Sequence, residues 1–159
     1  MKITAQEEYG LRVLIRIAAN KSNAGLSIPQ LTELEGLSVP YVAKLTRILR
    51  MGGFINSTPG HKGGYILARP AALIGIKEVL KVLGGVLFSD DFCNNHSGTL
   101  KLCSNSVDCS SRSLWNLVQI TVDQLLDKIS LDDLVHSEQE SSEILKQLTQ
   151  PKVALSGSF

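Results

Sequence analysis

Nowhere does this chain hold an uncharged apolar run near the ~18 residues that a membrane span requires. Its opening, Met1 to Ala19, is interrupted by Lys2, Glu7, Glu8, Arg12 and Arg16, so it lacks the apolar stretch of a signal peptide. A cytoplasmic protein with no membrane partner is expected. There is no internal repeat and no Gly-rich phosphate loop, and His61, His96 and His136 have no evident nucleophile to form a triad, which argues against an enzyme. Acidic residues are missing altogether between Pro40 and Pro70, where five basic ones stand. Cysteine is scarce and odd in number, at Cys93, Cys103 and Cys109. In a reducing compartment such a set points to metal or redox chemistry more readily than to a disulfide framework.

What is present suits one domain with an appended helical arm. The 159 residues, 43% hydrophobic and 19% charged, can bury a core of their own. The net charge of +1 conceals a division. Residues 1 to 70 carry nine basic side chains against four acidic ones, and the remainder carries seven against eleven. A basic amino-terminal half suits a polyanion.

Thr4 and Glu7 have the spacing of a capping box, and Tyr9, Val13, Leu14, Ile17 and Ala18 recur at helical intervals, predicting a helix over about 5–20. Glu8, Arg12 and Arg16 form a second stripe that reads as a surface ion-pair ladder. Ser27 with Gln30 starts a short second helix, with Leu31 and Leu34 inward and Gly36 at its end. Ser38 is expected to cap a third, which buries Val42, Leu45, Ile48 and Leu49 and leaves Tyr41, Ala43, Lys44, Arg47 and Arg50 outside. Two short helices joined by a glycine turn, the second basic on its free face, match a helix-turn-helix. A hairpin follows, with strands over 54–58 and 65–68 and a tip that offers His61 and Lys62 to phosphates. The fold class is mostly α with a small β-hairpin wing.

A further helix is predicted over about 75–83, and a longer one from a Ser110 or Ser111 cap to about Ile129. Leu114, Val118, Thr121, Val122, Leu125 and Ile129, widened by Trp115, Leu117 and Leu126, give the long helix more apolar surface than a small domain can cover. It either packs on a second copy of itself or forms the centre of a single subunit. A closing helical turn over 131–135, a polar helix over 138–148 and a disordered tail over 151–159 complete the chain. Between these helices lies Asp90 to Arg112, a polar stretch with the spacing Cys-x9-Cys-x5-Cys. Long loops without structure of their own are uncommon unless functional, and three thiols within it point to a metal centre, iron-sulfur or zinc. Three cysteines leave such a site one ligand short.

The run Met1-Lys2-Ile3-Thr4 into Tyr9-x-Leu11-Arg12, then Leu37-Ser38-Val39-Pro40-Tyr41, Gly60-x-x-Gly63-Gly64-Tyr65, the three-cysteine loop and Ser113-Leu114-Trp115 resembles the bacterial iron-sulfur winged-helix regulators. That family includes the iron-sulfur assembly regulator, the nitric-oxide-sensing repressor and iron-responsive repressors. The resemblance covers residues 1 to about 135. It implies a non-enzymatic homodimer crossed through the long helix, a [4Fe-4S] or [2Fe-2S] cluster in each subunit, and repression from a near-palindromic DNA operator in response to redox state, nitric oxide or iron. The first cysteine interval here is longer than is common in the family. A family histidine ligand is replaced by Arg112, which stays protonated and is a poor ligand. Glu8 of the partner subunit matches the acidic ligand of other members, and His96 is its rival. A structural Cys3His zinc site, or a cluster-containing redox protein, are the alternatives.

The expected organisation is a DNA-binding domain over 1–84, a cluster-binding loop over 85–112, a dimerisation helix and closing turn over 113–135, and a polar extension with a tail over 136–159. Ser38, Pro40, Tyr41, Lys44 and Arg47 would enter or border the major groove, while His61 and Lys62 meet the backbone. Half-sites would lie about one DNA turn, ~34 Å, apart.

Overall fold

The computed structural model describes residues 3–59, 63–88, 92–95, 103, 105 and 107–149. His61, Lys62 and His96, together with the expected tail over 151–159, lie outside the described residues.

Helix α1 (Ala5–Ala19) opens on the anticipated capping box. The Glu7 amide donates to the Thr4 hydroxyl at 3.3 Å, and the Thr4 amide donates to the Glu7 carboxylate at 2.8 Å. Helix α2 (Ile28–Glu35) repeats the device with Ser27 and Gln30. It ends at Gly36, whose φ of 65° is the left-handed conformation that lets the chain turn at once into the next helix. Helix α3 (Val39–Met51) buries Val42, Leu45, Thr46 and Leu49. Ser38 holds the N-cap position but makes no side-chain cap bond there, unlike Thr4 and Ser27.

The wing is shorter than its sequence suggests. Strands β1 (Ile55–Ser57) and β2 (Tyr65–Leu67) pair antiparallel, with Ile55 opposite Leu67 and Ser57 opposite Tyr65. Leu26 bridges to Tyr65 from the other side. The Thr58 hydroxyl donates to the Ala24 carbonyl at 3.0 Å and accepts from the Gly64 amide at 2.9 Å, tying the wing to the turn before α2.

After a 3-10 turn over Ala71–Leu73 come α4 (Ile76–Gly84), the four-residue α5 (Phe92–Asn95), α6 (Ser110–Leu126), a second 3-10 turn over Asp132–Leu134 and α7 (Glu138–Thr149). The Ile76 amide donates to the Ile129 carbonyl at 3.0 Å and the Leu131 amide to the Ile74 carbonyl at 2.8 Å, joining the start of α4 to the chain beyond α6. The core unites Val13, Leu14 and Ile17 of α1, Leu31 of α2, the inner face of α3, Phe54 and Ile55, and Ile76, Val79 and Leu83 of α4, with Ile74 and Leu131 closing it.

Several expectations change. Leu34 is 49% exposed rather than inward, because the inner line of α2 runs from Leu31 to Glu35. Ile48 is only half-buried, and Thr46 takes the interior place, its hydroxyl donating to the Val42 carbonyl at 3.0 Å. Helix α6 starts after Cys109, not after a serine cap, and stops at Leu126. It has no buried residue in the single chain, so it is not the centre of one subunit. Part of the supposed loop is the helix α5, too short to show a period in sequence.

Candidate functional site

The outward side of α3 presents Pro40, Lys44 and Arg47, all exposed, with Ser38 exposed at its entrance. These positions are brought together by one helix whose opposite face is locked in the core. Tyr41 is half-buried instead, meeting Tyr9 of α1 edge to face at 6.0 Å between centroids. Arg12 lies over the same Tyr9 ring at 5.4 Å.

The ion-pair ladder along α1 is replaced by a different arrangement. Arg12 Nε donates to Glu35 Oε2 at 2.8 Å and Arg16 Nε to Glu35 Oε1 at 2.6 Å. Glu35 is buried, with 2% of its side chain exposed, and each guanidinium satisfies one of its oxygens. Arg12 therefore leaves Glu8 and reaches across to α2. The Glu8 side chain is exposed and makes no hydrogen bond or ion pair among the described residues, since Glu7 performs the capping. The sequence signal for Glu35 is its place four residues after Leu31 on the inner line of a helix.

Cys93 lies in α5, Cys103 in the following segment and Cys109 at the N-cap position of α6. All three are free thiols, partly open to solvent. The Cys109 thiol is held below the usual cysteine range by a hydrogen bond with the Ser111 hydroxyl, 3.2 Å away, then by the Arg112 backbone amide and the Arg112 charge. The Arg112 guanidinium also donates to the Asn105 carbonyl at 3.3 Å, anchoring the loop to α6. Among the described residues, no three cysteine, histidine or acidic side chains gather into a metal-holding group. Cys93, Cys103, Cys109 and Glu8 are therefore placed on separate elements in the single chain.

The cysteine segment is tied to the helices on either side of it. The Phe88 amide donates to Gln119 Oε1 of α6 at 3.0 Å. Lys77 of α4 meets Asp127 at 2.9 Å and Asp123 at 3.8 Å, and the Asp127 hydrogen bond raises its pKa against the opposing effect of desolvation. The Gln6 amide of α1 donates to the Leu83 carbonyl near the end of α4.

A family model described as "Rrf2: Iron-dependent Transcriptional regulator" matches residues 3–137. The chain belongs to the Rrf2 family. Within it, the protein named rrf2 from Nitratidesulfovibrio vulgaris is 33% identical over 135 residues, covering 85% of this chain and 87% of that one. The solved structure of T. potens IscR is 27% identical with a TM-score of 0.65, covering 85% of this chain and 86% of its own. That of Staphylococcus aureus CymR in its oxidised form is 28% identical, also with a TM-score of 0.65, covering 86% and 97%. The winged helix-turn-helix architecture of the Rrf2 regulators is thus the fold of this chain, while α7 lies wholly past the residues that the family model matches. Among the described residues, no helix is long and apolar enough to cross a membrane.

Proposed function

We propose that this Rrf2-family regulator is a cytoplasmic homodimeric repressor that binds a near-palindromic operator under control of an iron-sulfur cluster. The cluster, [4Fe-4S] or [2Fe-2S], would be held by Cys93, Cys103 and Cys109 of one subunit and Glu8 of the partner subunit. The observation that carries the DNA-binding part is the exposed face of α3, with Lys44 and Arg47 beside Pro40 and Ser38, in a stretch that lacks any acid from Pro40 to Pro70. Phosphate contacts by such residues, with His61 and Lys62 on the wing, would dominate affinity and make it salt-dependent.

The donor chemistry fits a cluster. Three unpaired thiols are present, one of them already shifted toward thiolate, the form that binds iron. Exposed Glu8 is available to a second chain, and α6 leaves Leu117 and Ile120 more than half exposed for a copy of itself to cover. A bound cluster supplies a redox-sensitive tie between the cysteine segment and α1 of the other subunit. The protein side of the coupling is α1 itself. Arg12 stands one helical turn beyond Glu8 and, with Arg16, grips Glu35 of α2, while Tyr9 abuts Tyr41 of α3. A displacement of α1 is thereby passed to both helices of the helix-turn-helix, biasing two arrangements by redox state, nitric oxide or iron.

Anaerobically purified protein is expected to be brown and to contain iron and sulfide. Colourless protein with stoichiometric zinc would instead establish the Cys3His site with His96, and turnover without retention on operator DNA would establish a redox protein. Glu8→Ala should lose or destabilise the cluster while His96→Ala keeps it, and the reverse pattern moves the fourth ligand to His96. Lys44→Ala and Arg47→Ala should each weaken operator binding without changing cluster loading, and should lower the salt slope by about 1 if the contact is to phosphate.

A further inference from the structure

Helix α3 exposes two chemically different surfaces. Its buried line is Val42, Leu45, Thr46 and Leu49. At about 100° per residue, Pro40, Lys44 and Arg47 lie opposite that line, and Val39 with Ala43 lies on one flank. Val39 is the first residue of the helix, 52% exposed and outside the core. A β-branched residue there adds nothing to helix propensity, so its apolar surface is not explained by the fold of the single chain.

The neighbouring charges identify what meets this flank. Lys44 and Arg47 stand one and two turns further along and are exposed, with no acid in the sequence from Pro40 to Pro70. The occupant is a polyanion, and in a helix-turn-helix the amino-terminal residues of the second helix lie among the base edges of the major groove. The apolar feature those edges offer is the C5-methyl group of thymine. We infer that Val39, with Ala43 beside it, packs against a thymine methyl in each half-site and so selects an A·T pair at that step. Pro40 beside it adds no hydrogen-bond donor of its own, because its ring nitrogen carries no hydrogen. Lys44 and Arg47 then contact guanine edges or phosphates further along. The inference rests on the DNA-binding reading above and adds a residue that determines sequence preference.

The test uses the full-length protein and duplexes selected by it from a randomised pool. Each thymine of the recovered sequence is replaced in turn by deoxyuridine, which removes only the methyl group. At one thymine per half-site the parent protein should bind about fourfold more weakly, the value of one buried methyl. Val39→Ala should bind the thymine duplex more weakly by a similar factor and be indifferent to uracil at that position. The scan on the parent needs no variant, so it does not depend on how Val39→Ala folds. If no thymine methyl matters, or if Val39→Ala keeps the parent's uracil sensitivity, the inference is overturned while the DNA-binding reading stands. If no sequence is enriched and Lys44→Ala and Arg47→Ala leave DNA retention unchanged, the DNA-binding reading fails and the inference with it.

Discussion

Glu35 shows how a single charge can organise two helices. Its side chain is 2% exposed, whereas those of Arg12 and Arg16 are 44% and 52% exposed. The two sides of the interaction are therefore not equivalent. Removing Glu35 lets both guanidiniums turn to water, so Glu35→Ala should cost only about 1 to 2 kcal/mol in urea unfolding. Removing both arginines strands an ionised group in the interior, and the Arg12→Ala, Arg16→Ala double variant should cost more, about 3 kcal/mol. Equal losses would mean that Glu35 is better hydrated than its burial indicates. The pairing was not legible in the sequence, where Arg12 and Arg16 read as partners of Glu8 on a surface ladder. The arginines lie 23 and 19 residues from Glu35, and no local spacing rule spans that distance. Thr4 with Glu7 and Ser27 with Gln30 were legible because each pair satisfies its groups within three residues.

Between elements, close approach decides stability. Gly10 of α1 lies against Leu83 of α4, and a Cβ at that position would overlap both Leu83 Cδ atoms. Leu83 is buried and has little room to yield, so Gly10→Ala should lower stability by about 1 to 3 kcal/mol in thermal or urea melts. An unchanged midpoint would show that α1 and α4 can separate without cost. Helix α7 obeys a different control. The Ser137 hydroxyl donates to the Glu140 carboxylate at 2.7 Å and the Ser137 amide donates to it at 3.1 Å, holding the Glu140 pKa below its ordinary value. A depressed carboxylate adds stability that is present above the ordinary glutamate range and lost as pH falls through the lowered value. Amide NMR signals of 138–149 should therefore report fraying of the first turn on acidification. Glu140→Ala should fray already at neutral pH and respond little to acid, and a matching acid response in both proteins would assign the effect to other carboxylates. Helix periodicity made most of these elements readable, but the four residues of α5 carry no period, and Cys109 gave no sign of holding the start of α6.

At the scale of the whole molecule, α6 contributes no residue to the interior of the single chain yet presents Leu114, Trp115, Leu117 and Ile120 to solvent. Leu117→Glu with Ile120→Glu should shift sedimentation from dimer to monomer, keep the helical signal of a folded chain, and weaken operator binding because the two half-sites are no longer read together. A dimer that survives both charges would place the interface elsewhere. The width of this apolar face was plain in the sequence, whereas the placement of the thiols was not, since spacing alone cannot say which side chains converge. The two backbone hydrogen bonds from Ile76 to Ile129 and from Leu131 to Ile74 have one more consequence for the cysteine segment. They pinch the chain at the base, so the cysteine segment is an excursion between two helices, α4 and α6, that are already joined at their far ends. Lengthening such an excursion costs little, about 0.6 kcal/mol for each doubling of a flexible loop, and displaces nothing outside the pinch. Under the proposed function, the interval between Cys93 and Cys103 could therefore lengthen without moving α3, and ligand spacing would diverge while operator choice is retained.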